Sequence, residues 1–475
     1  MSKVKNGLFW NSIIGISRYV LQFLATLVLA RILTPEDYGL WGIIAIFVAI
    51  SESIVDSGLG GALVRKKEVR SVDYSTLTTF NFISAIFIYL VLYFMAPVVV
   101  EIYDKPELLN LIRVYSLVII LYSVGLVPTV VLIRKLNFKT IAYINLISSI
   151  LGIGFAVVSA IYKLGVWSLV IQYLASSLTS SLLFIIMSRY RIRFGFSKSS
   201  FIEIFPFGMN TSIGNILNSF TNNIFSNVIA KISTLSLTGY YVQSSRLLNV
   251  PVSLYTYIID STLFPILSKE SDKSILVYKI NEINKLLVLV SILTVTVLFL
   301  LSKEIVFILL GPTWMNMIPI FNIILISSFF MLTAQLFRVS LKVINKTELI
   351  RTSEIKVTFI VLLFIALSMF FKSYILILIC YILKSFFRYC FFIDSIRSFL
   401  DIRIKEELKF YLKHVLMVLP PLLISLLAGS CFEFSPVLML CLKSIIFVFI
   451  LLFIVLTVGS QQYKKFFLLL KRSRK

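Results

Sequence analysis

Residues 29–42 read LARILTPEDYGLWG, and residues 230–241 read AKISTLSLTGYY. Sliding the chain by 200 positions sets Ala30, Arg31, Ile32, Thr34 and Gly39 on Ala230, Lys231, Ile232, Thr234 and Gly239. An aromatic residue follows two places later in each, Trp41 and Tyr241. Each stretch is a polar break between long apolar runs, and in the first Pro35 and Gly39 read as the breakers of a hairpin. Two further breaks recur downstream. Pro106 and Asn110 are answered by Pro312 and Asn316, and Arg134 and Asn137 by Lys342 and Asn345. The offset drifts from 200 to 208, as small loop insertions produce. Three matches in one order read as an internal duplication.

The runs on either side of these breaks decide the environment. The chain has 475 residues, of which 59% are hydrophobic and 14% charged, with a mean hydropathy of +0.98. A soluble domain carries about 25% charged residues and hides only one face of each element, so it cannot bury this much apolar surface. About 20 apolar residues cross a bilayer as a helix. Fourteen segments qualify: 8–30, 38–62, 76–100, 107–133, 141–162, 165–188, 204–230, 236–265, 283–302, 316–341, 353–371, 373–396, 412–430 and 435–458. Alternating strands of a closed barrel are not seen in the pattern. The expected fold is an all-α polytopic membrane protein of fourteen transmembrane helices. Residues 1–200 form an N-terminal lobe (spans 1–6), 201–398 a C-terminal lobe (spans 7–12), and 399–475 hold spans 13 and 14 and a basic tail. Six spans per half is even, so the two lobes form a parallel repeat.

Charge then sets orientation. Even-numbered gaps hold clusters such as Arg65, Lys66, Lys67 and Arg70, or Arg189, Arg191, Arg193 and Lys198. Odd-numbered gaps hold single residues such as Arg31, Lys105 and Lys163. The positive-inside rule puts both termini in the cytoplasm, for a multi-pass protein of the cytoplasmic (inner) membrane. The net charge of +23 is thereby largely topology, and no soluble basic face for nucleic acid is implied. Residues 398–411, SFLDIRIKEELKFY, fit a short interfacial helix. The four cysteines have no metal or CxxC spacing, and His414 begins an apolar run, reading as interfacial.

The polar residues inside the spans carry the functional reading. Span 1 places Asn11, Gly15, Arg18, Gln22 and Thr26 on one helical face, and span 7 places Thr211, Asn215, Asn218, Asn222 and Ser226 at the same spacing, each 200 positions on. Such stripes face protein or water, either as interhelical hydrogen bonds or as walls of a cavity between the lobes. Arg18, about ten residues into its span, needs an anion, a carboxylate or a water cavity. Span 2 adds Glu52 and Asp56, four apart, either pairing with Arg18 or coupling transport to a proton or sodium ion. Span 8 adds Arg246 and Asn249, and span 12 adds Lys384 and Arg388, which bind an anion or are satisfied by a lipid headgroup or a neighbouring helix. Arginine suits phosphate, and amides suit sugar hydroxyls, so an anionic, sugar-bearing lipid is the expected cargo. There is no GxxxxGK[ST] and no HExxH, so no catalytic residue, metal or cofactor is expected.

The motifs themselves have relatives. LARILTPEDYGLWG followed by VDSGLGGALVRKK, then VEIYDKPEL, YYVQSSRLLNVP and LFPILSKES, resembles the bacterial polysaccharide (Wzx-type, O-antigen) flippases of the MOP exporter superfamily. The resemblance implies alternating access between two lobes. It implies movement of an oligosaccharide repeat on undecaprenyl pyrophosphate for O-antigen, capsule or exopolysaccharide, beside a polysaccharide polymerase or export complex. It also implies a pyrophosphate grip near Arg18 and a lipid-tail groove by spans 13 and 14. The rivals are a multidrug cation antiporter, which would have twelve spans and an acidic cavity, and a membrane enzyme such as an O-antigen polymerase, which would have a large outer loop.

Overall fold

The computed structural model describes residues 20–458, apart from 57–58, 260–262, 264–266, 269, 271, 345, 398, 400–403 and 433. No strand occurs among the described residues. The helices are α1 (Val20–Ala30), α2 (Pro35–Asp56), α3 (Leu59–Arg65), α4 (Ser71–Tyr103), α5 (Leu108–Tyr115), α6 (Leu117–Arg134), α7 (Phe138–Ile161) and α8 (Trp167–Ser188). They continue with α9 (Lys198–Ile232), α10 (Leu235–Ile258), α11 (Lys273–Leu300), α12 (Ser302–Leu309), α13 (Ile318–Val343), α14 (Thr347–Phe370), α15 (Tyr374–Arg397), α16 (Ile404–Cys431) and α17 (Pro436–Val458). Among the described residues, eleven helices are long and apolar enough to cross a membrane, which makes this a multi-pass membrane protein. α1 lies where span 1 was expected, and α9 and α10 lie where spans 7 and 8 were expected.

Local chemistry explains the helix ends. Thr34 caps α2, its Oγ1 accepting from the Asp37 amide at 3.3 Å, while Asp37 Oδ2 accepts from the Thr34 amide at 2.9 Å. Pro35 is then the first helical residue, where its missing N–H costs nothing. The hairpin reading of LTPEDYG is therefore corrected at one residue: Gly39 breaks nothing and lies inside α2. Thr234 repeats the cap in α10, accepting from the Leu237 amide at 3.2 Å. Asp272 caps α11, where the Ser274 hydroxyl and the amides of Ile275 and Ser274 hold its carboxyl below the usual carboxylate range. A second correction falls at 398–411: from Ile404 onward this segment is continuous with α16 rather than a separate interfacial helix, while 398 and 400–403 lie outside the described residues.

Two compact units result, one running up to Val250 with Ile365–Ile377, the other Pro251–Phe364 with the chain from Leu378 onward. In the first, small residues let helices close. A Cβ on Gly152 of α7 would fall on the Ser176 hydroxyl of α8 and within 2.8 Å of the Gln172 carbonyl, whereas one on Gly154 would meet nothing within 4 Å. Gly152→Val is therefore expected to destabilise by about 1–3 kcal/mol through overpacking. Gly154→Val should melt like the wild type in a gel-filtration thermal-stability assay. Equal melting of the two variants would refute the close α7–α8 approach. The second unit closes over Phe337, Phe392, Phe447, Ile280 and Val288, with Tyr389 donating to the Tyr411 hydroxyl at 2.9 Å.

The opening stretch and its repeat lie against each other in the first unit, with partners exchanged. A Cβ on Gly39 would fall on the Leu235 carbonyl, and a Cβ on Gly239 would fall on the Pro35 carbonyl. Ser236 Oγ donates to Glu36 Oε1 at 3.3 Å, and Val242 packs on Gly42. Residues 200 apart thus meet each other or trade partners along one seam between α2 and α10.

Candidate functional site

A cavity of about 530 Å³ opens within the first unit. Its walls come from α1, α2, α6, α7 and α8, and it brings Gln22 and Glu52 together. Asn145, Ser148 and Ser149 line it from α7, at helical spacings of three and four; Gln172, Tyr173, Ser176, Ser177, Ser180 and Ser181 line it from α8. Glu52 is half-buried and is the one carboxylate among these lining residues. The Ser148 hydroxyl is buried and has no hydrogen-bond partner among the described residues. Such a wall of hydroxyls and amides around one acid suits a sugar, a proton or a small hydrated cation.

Behind this cavity stands an aromatic stack. Tyr173 lies flat on Trp41 at 4.7 Å between ring centroids, and Tyr115 tilts against Trp41 at 4.8 Å. The Arg246 guanidinium sits 5.2 Å from the Tyr38 ring and 5.4 Å from the Trp41 ring. The flat guanidinium stacks on such faces as an ammonium would not. Asn249, one turn further along α10, is exposed. Asp56 is half-buried near the end of α2, beside Gly60.

The α9 stripe divides. Asn218 and Asn222 are exposed, with Asn222 Nδ2 donating to Asn218 Oδ1 at 3.1 Å. Ser226 is buried and donates to the Gly42 carbonyl at 2.9 Å. Thr26, on the matching face of α1, donates to its own helix at the Gln22 carbonyl. The side chain of Asn215 lies outside the described ones, and Arg18, Asn11 and Gly15 lie outside the described residues. In the second unit Lys384 is buried, 5.5 Å from the Tyr381 ring, and Arg388 bridges Glu354 at 2.8 Å. Arg388 thus has a carboxylate partner on a neighbouring helix, while its buried Nε has no hydrogen-bond partner among the described residues. His414 is buried as well, its Nδ1 2.7 Å from the Phe410 carbonyl.

Sequence reading passed over several of these groups. The serines of α8 run SSLTSS, a polar face at i and i+4 that period analysis would have found. Glu354, and a buried ion pair between Glu304 and Lys443 at 2.6 Å, carry no such sign, since each partner lies on a different helix.

A charged hub ties the α3–α4 turn to α9. Asp73 is fully buried and receives Lys66 at 3.1 Å, the Ser200 hydroxyl at 2.6 Å and the Arg70 amide at 2.9 Å. Lys66 also reaches Glu203 at 2.8 Å. Burial works against the Lys66 charge, but its bonds to Glu203 and Asp73 outweigh it and hold the ammonium above its ordinary range. Arg134 covers the end of α3, donating to the carbonyls of Leu63, Val64, Lys66 and Lys67.

Comparison with known proteins agrees with this architecture. Residues 28–319 match the family model described as polysaccharide biosynthesis protein. The chain is 22% identical over 327 residues to the teichuronic acid biosynthesis protein TuaB of Bacillus subtilis, covering 68% of each. It is 30% identical over 258 residues to the succinoglycan biosynthesis transport protein ExoT of Rhizobium meliloti, covering 54% of this chain and 52% of that one. Among solved structures, the lipid II flippase MurJ in an inward closed conformation has a TM-score of 0.77 at 14% identity, covering 94% of this chain and 97% of that one. The family match extends over more than half of the sequence, and the chain therefore belongs to the polysaccharide biosynthesis protein family.

Proposed function

We propose that this protein is a flippase. Its cargo is an oligosaccharide repeat unit on undecaprenyl pyrophosphate, carried across the cytoplasmic membrane for O-antigen, capsule or exopolysaccharide assembly. The observation that carries the proposal is the pairing of the family match with a fold spanning nearly the whole of a lipid II flippase. Relatives named for teichuronic acid biosynthesis and succinoglycan biosynthesis transport support a saccharide cargo. Fourteen crossings, both termini in the cytoplasm and a six-plus-six parallel repeat complete the reading. It is supported by the partner exchange between residues 35 and 239 and between 39 and 235, since a two-fold axis relating two copies produces such reciprocal contacts.

In this reading Arg18, Arg246 and Lys384 supply positive charge for the pyrophosphate, with Arg388 oriented by Glu354. Gln22, Asn215, Asn218, Asn222 and Asn249 meet sugar hydroxyls, and exposure of Asn218, Asn222 and Asn249 supports that role. The protein moves its cargo by alternating access without making or breaking a covalent bond, and hands it to a polymerase or export complex. Glu52, set in a hydroxyl-lined cavity, is the coupling acid, with Asp56 one turn on.

Complementation of a strain lacking the protein tests the flippase reading. Arg18→Ala is expected to abolish surface polysaccharide while lipid-linked repeats accumulate on the cytoplasmic side, with Arg18→Lys partly active. Normal export by Arg18→Ala at normal protein level removes the pyrophosphate grip. Glu52→Gln separates coupling from binding. Export is expected to fall about tenfold or more and to lose its dependence on external pH, while the protein still binds the repeat unit. An unchanged pH response removes Glu52 from coupling.

A further inference from the structure

The connection between α8 and α9, residues 189–197, reads RYRIRFGFS. It does not cross open solvent as a plain loop. It lies along α4. The Tyr190 ring tilts against Tyr74 at 5.9 Å, and its hydroxyl is 3.4 Å from Thr78 Oγ1. Phe194 reaches Phe82 at 5.5 Å, the furthest point along the helix. The chain then turns back. The Gly195 amide donates to Thr79 Oγ1 at 2.9 Å, and the same hydroxyl lies 3.2 Å from the Gly195 carbonyl. The Ser197 amide donates to Thr76 Oγ1 at 3.1 Å.

Depth follows from helix length. α4 has 33 residues, which at 1.5 Å per residue is about 50 Å, against a hydrocarbon core of about 30 Å. A helix this long extends past the core into the headgroup layer, and the basic run Arg65, Lys66, Lys67 and Arg70 just before it favours placing its first turns there. Irregular backbone at that depth is tolerated only where its polar groups are satisfied by protein. The hydroxyls of Thr76 and Thr79 supply this for the backbone of Gly195 and the Ser197 amide. Phe194 and Phe196 remain 63% and 57% exposed, as aromatic side chains in contact with lipid would be. Arg189, Arg191 and Arg193 alternate with Tyr190 and Ile192 and are all exposed. No carboxylate pairs with any of the three among the described residues.

We infer that residues 189–197, held on α4 by Thr76 and Thr79, form an interfacial strap that binds an anionic phospholipid of the membrane. The three arginines take the headgroup phosphate, and Phe194 and Phe196 pack on its acyl chains. The site is separate from the transport cavity and does not rest on the cargo proposed above. Bulk phospholipid is favoured as ligand because the aromatic tips and the charges sit together at the outer, lipid-facing edge of α4, where Ile83 and Phe87 are exposed too.

The test is native mass spectrometry of the full-length protein with equal amounts of dioleoylphosphatidylglycerol and dioleoylphosphatidylcholine. The wild type is expected to retain phosphatidylglycerol preferentially. Replacing Arg189, Arg191 and Arg193 by glutamine should weaken that preference by about fivefold per arginine, as expected for basic residues at an anionic surface. Thr79→Val keeps every charge and unhooks the strap, and should lose most of the preference. Undiminished preference in the triple variant overturns the site, and undiminished preference in Thr79→Val overturns its dependence on the strap. Displacement of phosphatidylglycerol by equimolar farnesyl pyrophosphate, with phosphatidylcholine unaffected, would assign the arginines to the cargo and overturn the proposal as well.

Discussion

Gly239→Leu is expected to leave the protein folded and in the membrane while reducing surface polysaccharide at least tenfold. At this position the α10 backbone lies against the Pro35 carbonyl so closely that even one added carbon has no room. The contact is with backbone, which cannot rotate aside as a side chain can. Overpacking of this kind costs about 1–3 kcal/mol. If the proposed alternating access opens the seam between α2 and α10, that cost falls on the closed state alone and shifts the equilibrium toward separation by roughly 5- to 150-fold. Gly39→Leu meets the Leu235 carbonyl and should behave the same way, because the two contacts are equivalent, each pairing a glycine of one copy with the backbone carbonyl 196 or 204 positions away in the other. Cysteines placed at Glu36 and Ser236, whose side chains touch at 3.3 Å, report the seam directly. They should crosslink readily in the parent and at least fivefold more slowly once Gly239 is leucine. Undiminished crosslinking with Gly239→Leu would show that the seam accommodates the side chain, and the expected loss of export would have no basis.

That seam also shows what the sequence could and could not disclose. The 200-residue offset was legible because each copy needs the same cap, a threonine, and the same small residue at the point of approach, Gly39 or Gly239. Local requirements of this kind write themselves into short strings. The helices were legible for a related reason: the bilayer demands about 20 apolar residues in a row, whatever the neighbours. The role of Gly39 was misread because a glycine near a proline looks like a turn, and only the partner backbone shows that it is an interface. The Glu52 cavity was half legible. Glu52 and Gln22 stood out as single polar residues, whereas its α7 and α8 walls are built largely from serines, each weakly polar and legible only as a face counted at helical period. Glu354 escaped notice because the partner of Arg388 lies 34 positions away, and no periodicity links the two.

Lys443 and Glu304 extend that lesson to a pair neither of whose members was suspected. Lys443 lies in α17, an apolar helix, and Glu304 in the first turn of α12, where the helix dipole also favours its charge. Both side chains are more than nine-tenths buried, and their 2.6 Å bridge joins elements far apart in the chain. The Lys443 stem passes over Gly429 of α16, where any side chain would obstruct it. Taking two charges out of water is costly, so the pair itself adds little stability over an apolar replacement. Removing one partner is another matter. Lys443→Met strands a buried carboxylate and is expected to cost about 3–5 kcal/mol. Most of the protein should then be lost from the monodisperse peak on gel filtration. Glu304→Leu combined with Lys443→Met removes both charges and should restore the peak to near wild-type recovery. This rescue separates an ion pair from two independent packing defects, whose costs would add. If the double variant is no more stable than Lys443→Met alone, the charges are not compensating each other and the bridge is not what holds α17 to α12. If the double variant is stable and still exports polysaccharide, the pair is structural. Loss of export from a stable double variant would instead show that the charges themselves serve transport.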